Sequence, residues 1–235
     1  IVFDSNRKGH RDLYVKPSNG AGSEELLLES AQDKVAGNWT RDGRFFVYNS
    51  LDPQTSFDLW VLPMEGERKP FVFLKTTFDE RRATFSPDGR WVAYASNESG
   101  QFEIYVRPFF QGGGQVQPAP VSGTASGTSS GAGAGGQWQV STAGGISPRW
   151  RADGKELYYI APDSKLMAVP IPTGVGTVEP GTPVALFQPR IVGGGIDPTG
   201  GPDYDVTGDG RFLINTVLED VASPITLLQN WAPTK

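Results

Sequence analysis

Phe85-Ser86-Pro87-Asp88-Gly89-Arg90-Trp91-Val92-Ala93-Tyr94-Ala95-Ser96 sets out a plan that the rest of the chain repeats. Its Asp-Gly step, followed by Arg or Lys, recurs as Asp42-Gly43-Arg44, Asp153-Gly154-Lys155 and Asp209-Gly210-Arg211. Three positions before each Asp stands a core-type residue: Trp39, Phe85, Trp150 or Val206. A second phrase, acid-aliphatic-aromatic-Val with Pro two places on, appears as Asp12-Leu13-Tyr14-Val15 with Pro17, Asp58-Leu59-Trp60-Val61 with Pro63, and Glu103-Ile104-Tyr105-Val106 with Pro108. Leu166-Met167-Ala168-Val169 with Pro170 is a looser copy. Asp42 and Asp88 are 46 residues apart. A period of that length with several short strands per unit is the signature of a β-propeller.

The chemistry of one unit supports the assignment. Asp-Gly between two hydrophobic runs predicts a tight primed hairpin, since Gly tolerates the positive φ that such a turn needs. After each turn come Phe45-Phe46-Val47-Tyr48, Trp91-Val92-Ala93-Tyr94, Leu157-Tyr158-Tyr159-Ile160 and Phe212-Leu213-Ile214. These runs are rich in aromatic and β-branched residues and too short for helices. Their continuous apolar character predicts strands covered on both faces, as in a blade packed between two neighbours. The third strand carries the acidic phrase, and the Pro after it fits a strand end, where its missing N–H leaves no ladder bond unmade. Outer strands are predicted at Glu25-Leu26-Leu27-Leu28, Phe71-Val72-Phe73-Leu74, Gln137-Trp138-Gln139-Val140 and Val184-Ala185-Leu186-Phe187. The expected fold is all-β: a propeller of four-stranded antiparallel blades, with about five blades represented and the first and last incomplete. The first unit enters after its own Asp-Gly step, and the last offers a third strand around 225–231 and no outer strand. Open ends of this kind invite pairing with another chain, so self-association is one expectation.

Composition narrows the function. With 37% hydrophobic residues in 235, the chain can bury a substantial core, and a propeller of this length is read as one domain over 1–235. The segment 111–136 holds nine glycines among small and polar residues and is read as a flexible insertion within the third unit. A formal charge of -5 argues against a general nucleic-acid binder, which needs a basic surface. No apolar run is long enough for a membrane-spanning helix. The absence of cysteine excludes disulfides, thiolate metal sites and a Cys nucleophile.

The run Phe85-Ser86-Pro87-Asp88-Gly89-Arg90, followed by Ala95-Ser96-Asn97 and Glu103-Ile104-Tyr105-Val106, resembles the repeat of TolB-like, WD-type bacterial β-propellers. The resemblance covers nearly the whole chain outside the glycine-rich insertion. Two stretches, 146–159 and 212–231, look like the carboxy-terminal propellers of bacterial receptor-type serine/threonine kinases, although no kinase motif occurs. The resemblance implies an extracytoplasmic, non-catalytic sensor or interaction module that binds a protein, peptide or small ligand. Its alternative is a carbohydrate-active or peptidase-associated propeller whose acids the sequence does not single out.

Catalytic signals are sparse. His10 is the sole histidine and lies in a turn-like stretch without a Gly-x-Ser-x-Gly elbow, which leaves no recognisable Ser-His-Asp hydrolase and no imidazole cluster for zinc or copper. Asp205, Thr207 and Asp209 imitate the start of a calcium loop, but the position of the bidentate Glu holds Thr216, and Asp209-Gly210 belongs to the repeat hairpin. Asp197, Asp203 and Asp205 remain the weak candidates for calcium; no other cofactor is expected. The fold offers instead a ring of dissimilar residues on the inner strands: Asn38, Thr84, Arg149 and Asp205 at one repeat position, with Thr40, Ser86, Arg151 and Thr207 two residues later. Arg149 and Arg151 suit carboxylate or phosphate groups. Arg82, with Arg81 and Lys34, lies in the approach to an inner strand, where binding loops gather. The segments 6–11, 51–57 and 97–102 are expected to flank the same channel mouth. Asn38, Arg82, Thr84, Arg149, Arg151 and Asp205 are therefore the candidate ligand contacts.

Overall fold

The computed structural model describes residues 1–109, 136–172, 177–191 and 204–216, and these form five antiparallel sheets. The first sheet contains β1 (Val2–Lys8), β2 (His10–Val15) and β3 (Glu25–Leu28) in that order. The second contains β4 (Lys34–Trp39), β5 (Phe45–Asp52), β6 (Ser56–Pro63) and β7 (Phe71–Leu74), and the third β8 (Glu80–Phe85), β9 (Trp91–Ser96), β10 (Glu103–Pro108) and β11 (Trp138–Gln139). The fourth contains β12 (Ile146–Trp150), β13 (Glu156–Ile160), β14 (Leu166–Pro170) and β15 (Val184–Phe187). The fifth, among the described residues, pairs β16 (Tyr204–Val206) with β17 (Phe212–Ile214). Each sheet is a meander of consecutive strands, the antiparallel blade that the repeat predicts. The strand expected around 225–231 lies outside the described residues, as does nearly all of the glycine-rich insertion. No helix long and apolar enough to cross a membrane occurs among the described residues.

Pro63, Pro108 and Pro170 are the last residues of β6, β10 and β14, opposite Phe45, Trp91 and Glu156, so each missing N–H falls where a ladder ends. The Asp-Gly hairpins differ from the predicted two-residue turn. In the first, Thr40 N–H donates to Phe45 O at 2.9 Å, which leaves four residues in the loop, and Gly43 N–H donates to Thr40 O at 2.8 Å with φ of 72° at Gly43. A side-chain network explains the longer loop. Thr40 Oγ1 donates to Asp42 Oδ1 at 2.6 Å and accepts from Phe45 N–H at 3.0 Å, while Asp42 accepts from Arg44 N–H at 3.1 Å. Ser86, Asp88, Arg90 and Trp91 repeat it at 2.6, 3.0 and 3.1 Å. These side chains satisfy backbone groups that a tighter ladder would have paired.

Alternate residues of one strand enter different cores. Phe46 and Tyr48 of β5 join Leu13 and Leu62 between the first and second sheets, whereas Val47 joins Leu59, Phe85, Val92 and Tyr94 between the second and third. Trp91, Ala93 and Ala95 of β9 turn the other way, toward Trp150, Leu157 and Ile160 of the fourth sheet. The interior is thus a series of junctions between blades, which is why the second-strand runs are apolar throughout. Inner strands carry irregularities, between Ala36 and Asn38, Arg81 and Thr84, and Ile146 and Arg149. At the first of these, Gly37 comes so close to β5 that a Cβ there would meet Val47 O at 2.3 Å. At the other two, Arg82 and Ser147 adopt φ of 54° and 56°, conformations that bulges impose on non-glycine residues.

Candidate functional site: the channel mouth

The face that carries the second-to-third-strand hairpins and the connections into the inner strands holds a cleft of ≈ 840 Å³. His10 comes from the β1–β2 hairpin, residues 51–56 from the β5–β6 hairpin, and Asn97 and Gly100 from the β9–β10 hairpin. Residues 31–33 and 77–79, the connections into β4 and β8, complete the wall. All three hairpins expected at the mouth therefore contribute to one cleft.

Local bonds fix these loops. Leu51 N–H donates to Asp33 O at 2.8 Å, Gln54 N–H to Asp52 Oδ1 at 2.8 Å, and Asp79 N–H to Asn97 Oδ1 at 2.9 Å, so each connection is held to the hairpin of the blade it enters. Most of the charge is internally matched. Arg81 grips Asp79 in a two-pronged pair at 2.6 and 2.7 Å and lies 4.3 Å from the centre of the Phe57 ring. Lys75 binds Asp52 and holds its carboxyl below the ordinary aspartate range, and the same ammonium is 3.5 Å from Asp58. Asp33 accepts from Arg11 N–H at 2.8 Å and faces His10 Nδ1 at 3.5 Å. What remains open is uncharged: Phe78 is 41% exposed and Leu51 36%, beside the exposed side chains of Gln32, Gln54 and Thr77. A rim of paired charges around exposed apolar groups suits a ligand with hydrophobic side chains and backbone hydrogen-bonding groups.

The residues singled out on the inner strands are dispersed. Arg149 and Asp205 do meet: Arg149 Nε lies 4.0 Å from Asp205 Oδ1, and the guanidinium sits 5.9 Å from the centre of the Tyr204 ring. Asn38 Oδ1 accepts from Phe85 N–H at 3.3 Å, a bridge between adjacent inner strands. Thr84 is buried, and its carbonyl accepts from Trp150 Nε1 at 3.3 Å. Arg82 is half-buried at the β8 irregularity. Arg151 stands in the Asp-Gly hairpin at the far end of β12, with Asp153 at 3.6 Å and Glu156 at 3.1 Å. It occupies the place of the Thr40, Ser86 and Thr207 hydroxyls, which are engaged in their own turns. Of the calcium candidates, Asp197 and Asp203 lie outside the described residues, and Asp205 pairs with Arg149; among the described residues no three acidic or imidazole groups converge on a metal position. Leu51 and Gln54 lie in the 51–57 segment expected at the mouth, whereas Phe78 was not singled out from the sequence; the available signal was an aromatic residue in a connection instead of a strand.

A second groove, of ≈ 660 Å³, opens at the opposite ends of the inner strands among the Asp-Gly hairpins, lined by Arg41, Asp88, Trp91, Lys155 and Ile171 among others.

Comparison with known proteins places the fold. No family model matches the chain. An uncharacterized protein of Agrobacterium fabrum is 29% identical over 107 residues, which is 44% of this chain and 34% of that protein. Among solved structures, TolB from Acinetobacter baumannii superposes with a TM-score of 0.59 at 14% identity over 91% of this chain and 45% of its own. A putative TolB from Agrobacterium tumefaciens gives 0.54 at 18% identity over 80% of this chain and 62% of its own. The chain therefore spans less than two thirds of each of these proteins. The chain has a β-propeller fold similar to that of these TolB structures; the comparisons support that part of the sequence resemblance and lend no support to the receptor-kinase part.

Proposed function

We propose that this chain is a non-catalytic binding module that takes a peptide or an extended segment of a partner protein at the channel mouth. One observation carries the reading: three successive blades build a single cleft whose charges are paired with one another and whose exposed wall sets the apolar Phe78 and Leu51 among uncharged polar groups, Gln32, Gln54 and Thr77. Aromatic anchors set among satisfied polar groups are the usual source of affinity at such surfaces. The Arg149–Asp205 pair on the inner strands is a secondary contact for a ligand that reaches into the channel. By the sequence resemblance, we assign the module to the extracytoplasmic side of a bacterial envelope.

Selection from a displayed peptide library on the purified chain tests this. Peptides so obtained should lose tenfold or more in affinity for F78A, roughly 1.4 kcal/mol, and keep their affinity for R151A. Peptides that bind both variants equally well, or a selection that yields none, would remove the mouth from consideration.

A further inference from the structure

At the first two junctions between blades, two repeat positions are buried near the mouth: the acid of the third-strand phrase and the first residue of the next inner strand. At the first junction they are Asp12 and Lys34, a buried ion pair 2.9 Å apart with side chains 3% and 2% exposed. At the second junction the same positions hold Asp58 and Glu80, two carboxyls, each residue 1% exposed. Asp58 Oδ1 and Glu80 Oε2 are buried without a hydrogen-bond partner. The repeat has thus exchanged a salt bridge for a pair of acids in the same dry place, where two like charges are strongly disfavoured.

The surroundings compensate Asp58 in part, through Lys75 at 3.5 Å and the Thr55 hydroxyl at 2.9 Å, and offer Glu80 only a hydroxyl. From β6 and its hairpin come Asp58 and Asp52; from the segment after β7, Lys75 and Thr76. Lys75 is shared between Asp52 and Asp58. Thr76 Oγ1 hydrogen-bonds Glu80 Oε1. On either side of Glu80 in the sequence, Asp79 and Arg81 are bound to each other. β9 and its hairpin contribute Tyr94 and Glu98, and Asn49 of β5 donates from Nδ2 to the Glu80 carbonyl at 2.6 Å. Lys34 is committed to Asp12 across the other junction. Burial above all, opposed by the Thr76 hydrogen bond and reinforced by Asp58, Glu98 and Asp79, pushes the Glu80 carboxyl up to about 8.

We propose that this junction is a protonation-dependent joint: a proton on Glu80 lets the two carboxyls share the dry interior and seats the 75–79 connection, and loss of that proton releases the connection. Because the connection carries Phe78, the joint would set the shape of the cleft wall. The inference concerns the wall and stands whatever the cleft binds.

In the unfolded chain Glu80 ionises near 4.5, so its stabilising effect is full below that value and is lost as pH rises toward about 8. Melting temperature and hydrogen exchange of the amides of 76–80, corrected for intrinsic rate, should be measured from pH 6 to 9 for the wild type and E80Q. The wild type should lose roughly 5 °C or more between pH 6 and 8, with falling protection at 76–80; E80Q should show neither change. Parallel curves for the two proteins would overturn the proposal. Should E80Q fail to fold, D58N gives the decision: removing the neighbouring charge should move the wild-type transition to lower pH, and an unmoved transition would overturn the joint equally.

Discussion

At the scale of single residues, the Asp-Gly turns show how much depends on one hydroxyl. Asp88 accepts from the Ser86 hydroxyl, the Arg90 N–H and the Arg90 guanidinium. Replacing it by Ala should cost about 1–2 kcal/mol, read from urea unfolding. The R151T variant, which installs at the third turn the hydroxyl that the other three possess, should unfold with no loss of stability. Asp42 gives a pH test: the Thr40 hydroxyl, joined by the Arg44 N–H, holds its carboxyl below the ordinary aspartate range. Its contribution is present above the ordinary value and fades as pH falls through the lowered one, and T40A should return the Asp42 titration, followed by NMR, toward the ordinary value. The turn was legible in the sequence; the direction of its flanking residues was not. Strand parity assigned Thr40, Ser86, Arg151 and Thr207 to the channel, but β4, β8, β12 and β16 end one residue earlier, and parity lapses where the strand does.

Elements are joined by acids that the sequence presents only as a recurring letter. Glu103, 1% exposed, accepts from Gly144 N–H at 2.8 Å and binds the Ser141 hydroxyl, fastening the connection that leads from β11 into β12. Ser141 in turn accepts from Ile104 N–H at 2.8 Å. E103A would strand buried donors on both sides and should cost about 2–3 kcal/mol by chemical denaturation. Gly37→Ala belongs to the same scale, since its Cβ would collide with the carbonyl of Val47 and backbone on both strands would have to move; a lower melting temperature is expected. Strand positions were readable because apolar runs and Asp-Gly steps mark them directly. The inner-strand irregularities were not, because one extra residue leaves the repeat spacing intact.

For the whole molecule, three buried clusters follow one another along the blade order, the last spanning the third to the fifth sheet, which implies that stability is largely local and summed between neighbours. L13A, between the first and second sheets, and L157A, between the third and fourth, should have additive effects on unfolding free energy to within about 0.5 kcal/mol. Phe85 and Phe109 share a junction with ring centres 4.9 Å apart, so F85L and F109L should couple by more than that. The architecture was legible at this scale from the period alone. The place of the cleft was legible too, in the three hairpins expected to flank one mouth; its chemistry was not, since that depends on which side chains stay unpaired after the rim charges have matched, and repeat spacing carries no trace of that.

The pairing of β10 with β11 also has a practical side. Tyr105 lies opposite Gln139 and Val106 opposite Trp138, and a Cβ on Gly136 would stand 3.5 Å from Pro108. The backbone thus departs after Phe109 and is back beside Pro108 by Gly136, at the periphery of its blade and far along the strand order from β8. A reporter domain with adjacent termini, spliced in place of 110–135, would hang from the blade's outer edge like a pendant and leave the melting temperature where it was, turning the propeller into a tagged probe for the ligand proposed at the mouth.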